Sequence, residues 1–158
     1  MSPSPNKKIE HITEIHAPVD KVWDAIIDID DWSWNKWTRL NAEKAEEGIK
    51  GKLKASYEGD DKWEKPFDFE FGEVNHKSYV LTWFGNIGPG GCIFNGYHTM
   101  RLEVIEGKDG DSNSTRLIHT ENFGGILPYF SLVLPFATLD RNYRLMNESL
   151  KEYVETKK

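Results

Sequence analysis

Leu132, Phe136, Leu139, Tyr143, Met146, Leu150 and Tyr153 follow one another at spacings of four, three, four, three, four and three residues. That spacing puts all seven on one face of a long amphipathic helix, with Arg141, Arg144, Glu148, Lys151 and Glu152 off it. Pro135 either starts this helix or kinks it. A helix with one apolar face must bury it against another layer, so the rest of the chain has to supply that layer.

The middle of the chain alternates with a period of two, which is the strand signature. In 52–58, Leu53, Ala55 and Tyr57 share one face. In 66–74, Phe67, Phe69 and Phe71 oppose Asp68 and Glu70. Both read as half-buried antiparallel strands, with EGDDK at 58–62 as a turn signal between them. Further strands are expected at 9–17, at 78–84 (SYVLTWF, apolar on both faces), at 97–106 and at 115–123. The turn GKDGDSNS at 107–114 joins the last two. After the first strand, Pro18 suits the opening turn of a helix. Val19, Val22, Trp23, Ile26 and Ile27 then mark one helical face, and Asp20 and Asp24 sit where the helix dipole favours negative charge. DWSWNKW reads as a short second helix or a turn. GNIGPGGCIFNG at 85–96 lacks both GK[ST] and GxGxxG, so it reads as a flexible loop beside the site and not as a phosphate cradle. Sequential hairpins bracketed by helices give an α+β fold. The expectation is a curved antiparallel sheet of six to seven strands around the long C-terminal helix, with a cavity between them.

Composition narrows the function classes. Twenty Lys and Arg against 26 Asp and Glu leave a net charge of −6, which argues against a nucleic-acid partner. Six Trp, six Tyr and eight Phe make 13% of the chain aromatic, yet the mean hydropathy is −0.63. Many rings and few aliphatics suggest a thin core or a ring-lined pocket. Cys92 is the lone cysteine, so an intrachain disulfide and a CxxC zinc site are both ruled out. The polar first residues carry no signal-peptide run, and no stretch reaches the length of a membrane span. The expectation is one domain over 1–158, ordered from about 9 to 155, in the reducing cytoplasm.

IHAPVDKVWDAIIDIDDWSWNKW resembles the opening of the START-like superfamily (SRPBCC) of Bet v 1-type, polyketide cyclase/dehydrase and lipid-transport proteins. There a strand leads into an APxxxVW helix start and a Trp-containing second helix. TRLIHTENFGGILPYF resembles the same family's last strand and the loop before its long helix, and LMNESLKEYVE resembles the end of that helix. The resemblance implies a helix-grip fold with an apolar cavity for a small hydrophobic molecule, no metal and no redox cofactor. The heat-shock-protein activator domain is a similar branch and implies an interaction domain instead.

Periodicity also selects candidate site residues. Met100, Leu102 and Val104 mark the inward face of 97–106. A symmetric turn would place Val104 opposite Leu117, Leu102 opposite His119, Met100 opposite Glu121 and His98 opposite Phe123. His98, His119 and Glu121 then face inward, whereas a slip of one residue would turn Ile118 and Thr120 inward instead. His119 and Glu121 have two readings. They are a general acid/base pair for cyclisation or dehydration, or a satisfied core histidine and a rim carboxylate. Trp32 and Trp37, with Trp34 between them, either stack on a flat ligand or fill the core. Phe67, Phe69, Phe71 and Trp83 are expected as core or pocket wall, with Phe136, Leu139 and Tyr143 lining the helix side. His11, His16 and His76 have no carboxylate spacing that would make a metal site. The leading reading is a binder of a small hydrophobic molecule, aromatic or polyketide-like. The alternatives are a cofactor-independent cyclase/dehydratase and a chaperone-activator-like interaction domain; the oligomeric state is not legible.

Overall fold

The computed structural model describes residues 7–87, 94–107, 110, 113–124 and 136–157. Strand β1 (Lys7–Ile15) leads into helix α1 (Val19–Ile27), a short 3-10 turn (Ile29–Asp31) and six more strands. These are β2 (Thr38–Asn41), β3 (Lys50–Ala55), β4 (Phe67–Asn75), β5 (Val80–Ile87), β6 (Phe94–Ile105) and β7 (Ser114–Gly124). Helix α2 (Phe136–Thr156) follows. The sheet runs β1-β7-β6-β5-β4-β3-β2, antiparallel throughout. It curls into a half-barrel around α2, which is the expected α+β helix-grip arrangement.

Local chemistry explains the elements. Pro18 occupies the N-cap position of α1, one residue before the place predicted for it, and Asp20 lies in the first turn. Val22, Trp23 and Ile26 are buried along one face. The DWSWNKW segment is no second α-helix. Its 3-10 turn ends at Asp31, and Trp32 and Trp34 then tuck under α1, donating their indole N–H groups to the carbonyls of Ile26 (2.9 Å) and Ala25 (3.4 Å). Strand β2 has no counterpart among the sequence-predicted elements, because four residues are too short for alternation to register. A side chain at Gly51 would overlap the Asn41 carbonyl and the Phe69 ring, so glycine allows β2 and β3 to fold tightly over the core.

Three boundaries need correction. The β3–β4 connection spans 56–66, so the 58–62 turn lies inside a longer loop. Strands β5 and β6 stay paired through Gly85↔Gly96, Asn86↔Asn95 and Ile87↔Phe94, so the ends of the glycine-rich 85–96 segment are strand and not loop. Residues 88–93, including Cys92, lie outside the described residues, as do Leu132 and Pro135. Finally, the β6–β7 ladder closes at Ile105↔Ser114 and not symmetrically about 107–114.

That closure moves the pairing by two residues. His98 pairs with Glu121, Met100 with His119, Leu102 with Leu117 and Val104 with Thr115. An even shift preserves parity, so the predicted faces survive although every predicted partner changes. Leu117, His119, Glu121 and Phe123 are buried while Ile118 and Thr120 are only partly so. Val104 departs from expectation: near the strand end it is 43% exposed.

The buried apolar residues form two clusters. The larger joins Trp23, Trp32, Phe69, Phe71, Trp83 and Met100 to α1 and the far end of α2. The smaller holds Ile9, Phe123, Tyr143 and Met146, with Trp37, Phe136 and Leu139 packed against it. Among the described residues no helix is long and apolar enough to cross a membrane.

Candidate functional site

A line of polar side chains lies with these clusters on the inward face of β6 and β7. His98, His119 and Glu121 are 4%, 0% and 8% exposed. Antiparallel pairing puts His98 directly across from Glu121, with Glu121 Oε2 3.3 Å from His98 Nδ1. The other ring nitrogen of His98, Nε2, meets Nε2 of His119 in a short hydrogen bond. His119 Nδ1 is 2.7 Å from Oδ1 of Asn147 on α2. The Trp83 ring stacks on His98 at 4.1 Å and 13°, which fixes the imidazole plane. Tyr143 closes the group from the helix, with its ring 4.9 Å from His98 and 5.2 Å from His119.

Burial and neighbouring charge set two of these groups. Desolvation, then the facing His98, hold the His119 imidazole well below its ordinary value of 6.5, so the ring is neutral. Desolvation pushes the Tyr143 phenol well above 10.0, reinforced by the charge on Glu121 and a hydrogen bond to its carboxyl. Above pH 10 an unfolded Tyr143 would lose its proton while the folded one keeps it, so this stabilisation fades as pH rises past 10. Tyr143→Phe is expected to cost about 1 kcal/mol at neutral pH. It should also flatten the alkaline limb of a stability–pH profile, measured by urea unfolding between pH 8 and 11. An unchanged alkaline limb would place the phenol in water.

The structure brings together only some of the residues that the sequence nominates. Trp83, His98, His119, Glu121 and Tyr143 converge, and Met100 sits beside them as the pairing partner of His119. Trp32, Phe69, Phe71 and Leu102 are buried in the larger cluster: Trp32 packs on Trp83 at 5.9 Å, and Phe69 meets Phe71 edge-on at 5.1 Å. Phe136 packs on Phe123 at 5.8 Å, and Trp37 and Leu139 flank the smaller cluster. Phe67 shares their face but is 36% exposed at the start of β4, where it lies across Gly85. His11 pairs instead with Asp140 at 3.0 Å, and His76 accepts from the Trp23 indole at 3.1 Å. Among the described residues no group of three or more His, Cys, Asp or Glu is placed to hold a metal ion.

Asn147 is the member that sequence reasoning missed. It lies four residues after Tyr143 and one after Met146, on the buried face of α2. A polar residue inside the apolar stripe was the available signal.

No family model matches the chain, and no curated protein matches it in sequence. Solved structures resemble it throughout. Zhui aromatase/cyclase from Streptomyces sp. R1128 has a TM-score of 0.71 at 13% identity, covering 95% of this chain and 94% of that one. Norcoclaurine synthase from Thalictrum flavum, in a complex with dopamine and hydroxybenzaldehyde, has a TM-score of 0.67 at 14% identity over 97% and 89%. Ara h 8.0201 has a TM-score of 0.66 at 13% identity over 96% and 99%. Likeness at such identities is likeness of fold. The chain therefore shares the helix-grip fold of these structures.

Proposed function

We propose that the protein binds a small, largely apolar molecule between the inward face of the sheet and α2, with Glu121, His98 and Tyr143 as its polar anchor. The observation that carries this reading is Glu121 Oε2, which is buried and makes no well-formed hydrogen bond, its polar neighbour His98 Nδ1 lying 3.3 Å away. An unsatisfied buried polar atom costs about 1–3 kcal/mol, more when charged, and a ligand hydroxyl donating to it would recover that cost. The rings of Trp83, Tyr143, Trp37 and Phe136 nearby suit the apolar remainder of a flat guest. Neighbours of the same fold include a synthase solved with two small aromatic molecules.

The test compares two probes of similar size, 2-naphthol and 2-methylnaphthalene, by fluorescence titration. The naphthol is expected to bind about tenfold or more tightly, equivalent to one hydrogen bond to a charged group. Glu121→Ala should erase that preference. Equal affinities, or no saturable binding of either, would refute the reading.

The contact of Glu121 with His98, and of His98 with His119, favours a second reading: a cofactor-independent cyclase/dehydratase in which the Glu121–His98 pair moves protons on a polyketone-like substrate. Glu121→Gln should then lower turnover by about 10²–10⁴-fold while the melting temperature stays near wild type. Turnover that survives the change assigns the cluster to binding alone.

A further inference from the structure

The hydrogen-bond partners of Asn147 set the order of the ring protons on His119 and His98. Its Nδ2 is 3.2 Å from the His11 carbonyl oxygen and 3.1 Å from Thr13 Oγ1. A backbone carbonyl only accepts, so the amide NH₂ must face it, and Oδ1 must therefore face His119. Oδ1 in turn only accepts, so His119 carries its proton on Nδ1. His119 is neutral, so its Nε2 is a bare lone pair. The short contact between the two Nε2 atoms then requires the proton there to belong to His98. With Nε2 of His98 committed, Nδ1 is the nitrogen left free to take up a proton, and it faces Glu121.

We infer that Asn147 is a positioning residue: through its hydrogen bond to His119 it fixes the proton order along His119 and His98 and so aims His98 Nδ1 at Glu121 as the exchanging atom. This rests on the reading of Glu121 and His98 as the working groups of the site. When a bound molecule gives up a proton, its bond to that proton breaks and an N–H bond forms at His98 Nδ1, facing the Glu121 carboxyl 3.3 Å away. Neutral His119 accepts from the imidazolium on its far side and helps it to exist. The groups facing His119 are His98 from β6, His11 from β1, and Asn147 with the Tyr143 backbone from α2. Asp140 stands behind His11.

The test is the imidazole tautomer pattern of the unliganded protein, read from long-range ¹H–¹⁵N NMR spectra near neutral pH. Wild type should show His119 protonated on Nδ1 and bare on Nε2, with His98 protonated on Nε2. In Asn147→Asp the added negative charge should draw a second proton onto His119. The proton between the rings then passes to His119, and His98 should reverse, with Nε2 bare and Nδ1 protonated toward Glu121. A purely structural Asn147 would leave the His98 tautomer unchanged, and that result overturns the inference. If Asn147→Asp does not fold, the wild-type spectrum still decides, because a bare Nδ1 on His119 contradicts it outright. The readout needs neither ligand nor turnover. Failure of the naphthol titration with the tautomers as stated would therefore count against the functional reading alone.

Discussion

Trp32→Ala is expected to destabilise the protein by about 3–5 kcal/mol, the usual cost of deleting a fully buried indole and leaving a cavity. For a chain of this size that corresponds to a melting temperature lower by roughly 10 °C or more. Trp32 is 1% exposed, donates to the Ile26 carbonyl at 2.9 Å and packs on Trp34 and Trp83. It therefore ties α1 to the strand whose other ring, Trp83, supports His98. Trp32→Phe keeps most of the apolar volume and loses the indole donor, so it should cost about 1–2 kcal/mol. Differential scanning calorimetry of both variants is the check. A drop of only a degree or two for Trp32→Ala would mean that the ring borders open space and has the ligand-stacking role instead.

Acid sensitivity should trace to His119. Its folded value is depressed by burial and by His98. Above its ordinary value of 6.5 both the folded and unfolded forms are neutral, and this contribution to stability is complete. As pH falls below 6.5 the unfolded histidine takes up a proton that the folded one refuses, so stability drops by about 1.4 kcal/mol per pH unit. The loss continues until pH passes the folded value. Carboxylates add their own losses below about pH 5, so the informative window lies between the two. Urea unfolding there should give a steep slope for wild type and a slope lower by about one proton for His119→Gln. Equal slopes would contradict the burial and neutrality of this ring.

Much of the fold was legible because its periodicities are strong. The 4-3 spacing from Phe136 to Tyr153 survives as α2, and the alternation around Phe69 and Phe71 survives as β4. Parity located His98, His119 and Glu121 on the inward face even though the partners were wrong. A side chain's face depends on odd or even count, whereas its partner depends on loop geometry that GKDGDSNS does not encode. The four-residue β2 gave no periodic signal. Asn147 went unseen because its role comes from His11 and Thr13, more than 130 positions away. The tryptophans were ambiguous for a similar reason. Nothing local distinguishes Trp32, buried under α1, from Trp37, half-buried against the smaller cluster.

Composition left open a thin core or a ring-lined pocket, and the aromatic residues divide between the two. Trp32, Phe69 and Phe71 are buried core, and in the proposed reading a guest meets the rings around Glu121 and His98. Aromatic side-chain NMR (His, Tyr and Phe) during titration with 2-naphthol addresses this most directly. Saturable shifts at His98, His119 and Tyr143, with Phe84 and Tyr97 on the outer face of the sheet unmoved, are the predicted result. Saturable shifts confined to Phe84 and Tyr97, or none at the inward histidines at saturation, would contradict an inward-facing binding site.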